Sequence, residues 1–95
     1  MSTIIDQAVA ALKEKLPEGF DGSVKFEIEG EGAVIVDADG VRAGDGPADC
    51  TLTASADTFQ GMMSGEVNPT AAFMMGKLKV DGDMGTAMRL GSALG

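Results

Sequence analysis

Residues 24–43 read VKFEIEGEGAVIVDADGVRA. Val24, Phe26 and Ile28 alternate with Lys25, Glu27 and Glu29, the two-residue period of a strand with one dry and one wet face. The glycines of GEG at 30–32 turn the chain into a second strand around 34–36. DADG at 37–40 then turns it into a short third strand over 41–43. These signals predict a three-stranded meander.

Upstream, Ile5, Val9, Leu12 and Leu16 recur at helical spacing, which predicts an amphipathic helix over 3–16 with Thr3 and Asp6 as its capping box. Pro17 and Gly19 end it. Downstream, GDGPA at 44–48 is a loop, and Cys50, Leu52 and Ala54 alternate with Thr51, Thr53 and Ser55 as a fourth strand. Phe59, Met62 and Met63 restore helical spacing up to a stop at Gly65. Asn68 followed by Pro69 opens a short helix that Gly76 closes. In KLKVD at 77–81, Leu78 and Val80 face one way as a fifth strand. Asp83 then caps a last helix with Met84, Ala87, Met88 and Leu94 along one side, weakened or flanked by Gly82, Gly85 and Gly91.

Every strand shows one apolar and one polar face, so helices should cover a single side of a mostly antiparallel five-stranded sheet. The fold class is α+β. Ninety-five residues without a repeat or linker make one domain, 1–95.

Fifteen acidic residues against seven basic give a net charge of −8, whose field repels phosphate backbones and excludes nucleic acid as a partner. Lys77, Lys79 and Arg89 locally outnumber Asp81 and Asp83, so an anion or a membrane surface would meet the C-terminal third first. No apolar run approaches the ~20 residues that span a bilayer. A single cysteine, Cys50, cannot form an internal disulfide, and Asp6 interrupts the one apolar stretch near the start. The closing SALG matches no receptor-read address such as SKL, and a cytoplasmic location is expected.

Catalysis is poorly supplied. The chain has no histidine, hence no Ser-His or Cys-His pair and no default general base. Its carboxylates fall on solvent faces and turns, and Cys50 belongs to the apolar row of a strand, where it reads as a small hydrophobe. No spacing fits a metal site. The glycine-rich segments neither precede a Lys-Ser pair nor open a helix after a buried parallel strand, as a phosphate loop requires. No catalytic residue, metal or cofactor is expected.

What remains is methionine. Met62, Met63, Met74, Met75, Met84 and Met88 all lie in the three helices after residue 55, over a sheet whose inner face carries Val24, Phe26, Ile28 and Leu52. Flexible thioethers specify a rigid core poorly and adapt well to a guest of variable shape. They read as core filling or as the lining of an apolar cavity.

Residues 48–90, ADCTLTASADTFQGMMSGEVNPTAAFMMGKLKVDGDMGTAMRL, contain ADCT, F-x-x-x-M-x-G, NP-x-x-AF-x-x-GKLK and GDMG-x-AMRL in series. This resembles the sterol carrier protein 2 (SCP-2) family at matching spacing. The resemblance implies a five-stranded sheet covered by helices and a hydrophobic tunnel between the sheet and the C-terminal helices. The tunnel would take sterols, fatty acids, fatty acyl-CoA or phospholipid, with no catalysis of its own. Phe59, Met63, Phe73, Met74, Met84 and Met88 correspond to its lining. With the remaining methionines and the inner-face residues Phe26 and Ile28, the candidate ligand-binding set also includes Met62 and Met75. Relatives commonly carry glutamine at the place of Met75; losing that amide favours an acyl chain over a sterol.

The expected partner is a lipid or fatty acyl ligand, with at most transient membrane contact, bound by a monomer or weak dimer. Two other readings compete: a protein–protein or dimerisation module using the methionine-rich helical face, and an enzyme using Cys50.

Overall fold

In the computed structural model, which describes residues 3–94, Phe26 stands opposite Val34 on one side and Leu52 on the other. Three inward rows thus meet at the middle of a sheet. Its strands are β1 (Val24–Ile28), β2 (Gly32–Asp37), β3 (Gly40–Ala43), β4 (Cys50–Ala54) and β5 (Leu78–Gly82), in the order β3-β2-β1-β4-β5.

Three of the four pairings are antiparallel, as expected; that of the central strand β1 with β4 is parallel, so the sheet is mixed. The alternation of an inward row is the same whichever way a strand runs. Direction is set instead by the return of the chain through residues 44–49, where the Asp49 backbone N–H donates to Ser23 Oγ at 2.9 Å and brings β4 in beside the start of β1.

Four helices join the strands: α1 (Thr3–Lys15), α2 (Ala56–Ser64), α3 (Pro69–Met74) and α4 (Met84–Leu94). Helix α1 packs on β2 and β3 and touches α2, α3 packs on β5, and α4 lies over β4 and β5. A single core cluster joins Leu12 of α1, the inward rows of the strands, Phe59 and Met62 of α2, and Leu90 of α4. Thr3 is the first helical residue of α1 rather than its cap, so the cap position of the expected Thr3–Asp6 box falls outside the described residues.

The outer face of the sheet carries Lys25, Glu27, Thr51 and Thr53 and is the expected wet side. Ile35 is its exception: it is buried outside the core cluster, with Lys25 and Arg42, two long side chains able to cover an apolar neighbour, as its register partners.

Where β5 leaves the sheet for α4, Gly82 has φ +99°, and a Cβ there would lie 2.5 Å from the Asp49 carbonyl oxygen. Only glycine fits this approach. It aims α4 back across the inner face.

Candidate functional site

Two caps place the helices that make the site. Asn68 Oδ1 accepts from the backbone N–H groups of Thr70 at 2.8 Å and Ala71 at 3.2 Å, satisfying the first turn of α3 with Pro69 at its start. Ala72 then points into the core, leaving Phe73 and Met74 outward. Asp83 caps α4: Oδ1 accepts from the Gly85 N–H at 3.1 Å and Oδ2 from Thr86 Oγ1 at 2.7 Å.

Thr86 and Leu90, four apart, are buried and anchor α4 to the sheet. On its outer side Arg89 reaches Thr86 Oγ1 at 3.3 Å, forms an ion pair with Asp21 at 3.6 Å and stacks 5.8 Å from the Phe20 ring. On the neighbouring face Ala87 packs against the core, while Met84 and Met88 stay exposed, 44% and 71%, and form a wall.

Between that wall, α3 and the sheet lies a cavity of about 620 Å³. Its floor is Phe26, Leu52, Leu78 and Val80; Met62 lines it from α2, Phe73 and Met74 from α3, and Met84 and Met88 from α4. Asn68, Thr70 and Ser92 are its polar side chains, and no described lining residue is charged. The cavity is open along α3 and α4: Met74 is 80% and Met88 71% exposed. Five large apolar side chains exposed together are unusual for an isolated domain, and four of them belong to this cavity.

The structure brings Phe26, Met62, Phe73, Met74, Met84 and Met88 of the candidate set to this one cavity. Phe59 and Met63 line a second, smaller space between α1 and α2 instead. Ile28 is buried in the packed core and Met75 lies outside both cavities, 66% exposed, because it follows the last residue of α3 and points away from the sheet. Leu94 of the predicted α4 face lies outside the described side chains. The candidate set lacks Leu52, Leu78, Val80 and Ala87, although Leu52 lies on the inward row of β4, Leu78 and Val80 share that of β5, and Ala87 shares the helical face of Met84 and Met88.

Cys50 offers no accessible nucleophile. It is 1% exposed, and burial first, then the charges of Asp83, Asp81 and Asp49, push its thiol above the usual range and disfavour the thiolate. Among the described residues no cluster of three metal-ligating side chains occurs, and no helix is long and apolar enough to cross a membrane.

The profile of the SCP-2 sterol transfer family matches residues 3–95. Sterol carrier protein 2 of Homo sapiens is 43% identical over 61 residues, 64% of this chain and 10% of that protein. Hydroxysteroid dehydrogenase-like protein 2 of Xenopus laevis is 33% identical over 93 residues, 90% of this chain and 22% of that protein. The chain therefore spans only a small part of the length of these relatives. Among solved structures, sterol carrier protein-2 of Aedes aegypti in complex with palmitate superposes with a TM-score of 0.78 at 22% identity, covering 99% of this chain and 96% of that one. At that identity the likeness establishes the fold.

Proposed function

The chain belongs to the SCP-2 sterol transfer family, and on that premise we propose that it is a non-catalytic carrier of acyl lipids. The lipid chain lies in the cavity between the sheet and helices α3 and α4. One observation carries this reading: a cavity of about 620 Å³ with an uncharged, mostly apolar lining that stays open along two methionine-bearing helices. That volume is within the ~300–1,000 Å³ range of small-molecule sites. The palmitate held by the Aedes aegypti relative supplies the chemical class.

The energetics favour a reversible carrier. Burying a sixteen-carbon chain at ~0.8 kcal/mol per methylene contributes a gross ~13 kcal/mol. Lost freedom and ordering cost about 4–15 kcal/mol. A micromolar affinity, about 8 kcal/mol net, corresponds to a cost of about 5 kcal/mol, at the low end of that range, and is tight enough to hold a lipid and weak enough to release it. The charged or polar end of the ligand stays at the open rim, where water and Asn68, Thr70 and Ser92 replace the cation that the lining lacks. A cytoplasmic location is part of this proposal.

Native mass spectrometry of protein purified from cells, together with displacement of a bound fluorescent fatty acid by palmitate, tests the reading. A co-purifying lipid and micromolar displacement are expected. A protein that binds neither is not a carrier. The exposed Met75, which lines neither of the two cavities, is the one feature that favours a protein–protein contact instead; concentration-dependent sedimentation without fatty acid binding would establish that reading.

A further inference from the structure

We infer that Phe59 is a movable partition between two cavities, and that its rotation joins them into one channel for acyl chains longer than sixteen carbons. This rests on the carrier reading above. On the far side of Phe59 lies a second space of about 320 Å³ between α1 and α2, open to the surface, lined by the apolar Ala8, Ala11 and Met63 and by the polar Gln7, Gln60 and Ser64. It would extend the main cavity by about half again.

The wall between them is thin. Phe26 lines the main cavity, Phe59 lines the second, and the two rings meet edge to face with centroids 5.4 Å apart and planes at 70°. The adjacent Met62 and Met63 repeat the division, one on each side. The Phe26–Phe59 pair and the α2 backbone that carries Phe59 therefore stand between the two spaces.

The ring can move while the helix stays. Neither phenylalanine has a polar side-chain atom, so rotation breaks no side-chain hydrogen bond. The neighbouring unbranched thioethers can repack around it. The α2 backbone is pinned, because Gly61 packs so closely on Val67 that a Cβ there would lie 2.5 Å from Val67 Cγ2. At the mouth of the second cavity Gln60 Nε2 donates to Gln7 Oε1 at 3.5 Å, a polar bridge between α2 and α1 that an apolar tail would underlie. The ligand class is therefore a very-long-chain acyl lipid, its head at the α3–α4 rim and its tail beyond Phe59.

The test uses the full chain and displacement of a fluorescent fatty acid by saturated acids of sixteen and twenty-two carbons. Ala11→Phe fills the second cavity from its α1 wall without touching the first. Each methylene lodged in an apolar site is worth roughly fourfold in affinity, so a tail with two or more methylenes there should lose about tenfold or more in Ala11→Phe. The sixteen-carbon acid, whose chain stays in the first cavity, should change by less than about twofold, under half the effect of one methylene. Phe59→Ala removes the movable ring of the partition and, where circular dichroism shows it folded, should raise affinity for the longer acid selectively. Equal behaviour of wild type and Ala11→Phe toward both acids, or equal loss of both, overturns the partition. Wild-type protein that binds the sixteen-carbon acid but not the longer one also overturns it and leaves the carrier reading standing. Failure to bind either acid overturns both.

Discussion

Thr86 Oγ1 donates a 2.7 Å hydrogen bond to Asp83 Oδ2, and through it one carboxylate holds the first turn of the helix that walls the cavity. This bond first, then that from the Gly85 N–H, keeps the Asp83 carboxyl below the usual carboxylate range. Asp37 beside Arg42 and Asp45 beside Lys25 are lowered in the same way. A lowered folded-state pKa means that the unfolded chain binds more protons in the interval. Stability is then fully present above the unfolded carboxyl pKa and is lost as pH falls through the folded value. Urea midpoints followed from about pH 6 to about pH 2 should decline below about pH 4. Asp83→Asn should lower the midpoint at neutral pH and make the acid decline shallower.

Asn68→Ala removes the α3 cap, whose side chain serves two backbone donors. The expected cost is about 1 kcal/mol. In a domain of this size it corresponds to a fall in Tm of roughly 4–8 °C. Asn68→Asp, which retains the acceptor, should recover most of it in the same calorimetric measurement.

Two helical glycines should respond with opposite sign. Gly91→Ala meets only Pro69 Cβ at an ordinary 3.9 Å and gains about 0.5–1 kcal/mol from the helical preference of alanine. Gly61→Ala drives its methyl against Val67, whose branched side chain cannot swing away, and overpacking of about 1–3 kcal/mol outweighs the same gain. Chemical denaturation of Gly61→Ala, Val67→Ala and the double variant should show that truncating Val67 offsets part of the Gly61→Ala loss.

Met74→Asp and Met88→Asp alter exposed cavity-lining positions and should leave Tm nearly unchanged, within about 0.5 kcal/mol of wild type. Fatty acid affinity should fall by about tenfold or more, because the carboxylate must be desolvated against the chain. Met75→Asp, off the cavity, should bind as wild type. Equal losses at all three positions would count against this cavity as the lipid site.

Cys50 should react with a small thiol reagent only as fast as the protein opens, with a rate that rises on adding urea. Its raised folded-state pKa contributes stability that is present below the unfolded thiol value and lost as pH rises through the folded one. Denaturation midpoints should therefore fall in alkali in wild type more than in Cys50→Ala.

The sequence by itself determined the local order of this protein. The two-residue rows of β1 and β4, the helical spacing of α1 and α2, the Asn68-Pro69 opening and the Asp83 cap all depend on residues a few positions apart, and the structure has each where the spacing puts it. The parallel pairing of β1 with β4 was not legible, because an inward row reads alike in both directions and the choice depends on how residues 44–49 return to Ser23. The destinations of the methionines were only half legible. Helical spacing gives each a phase about its own axis, yet adjacent Met62 and Met63 border different cavities and Met75 borders neither. Only the tertiary structure decided those places, since a cavity is the space left between docked elements. Its shape follows from where α3 and α4 rest over β5 and where Phe59 meets Phe26, contacts between residues far apart in the chain.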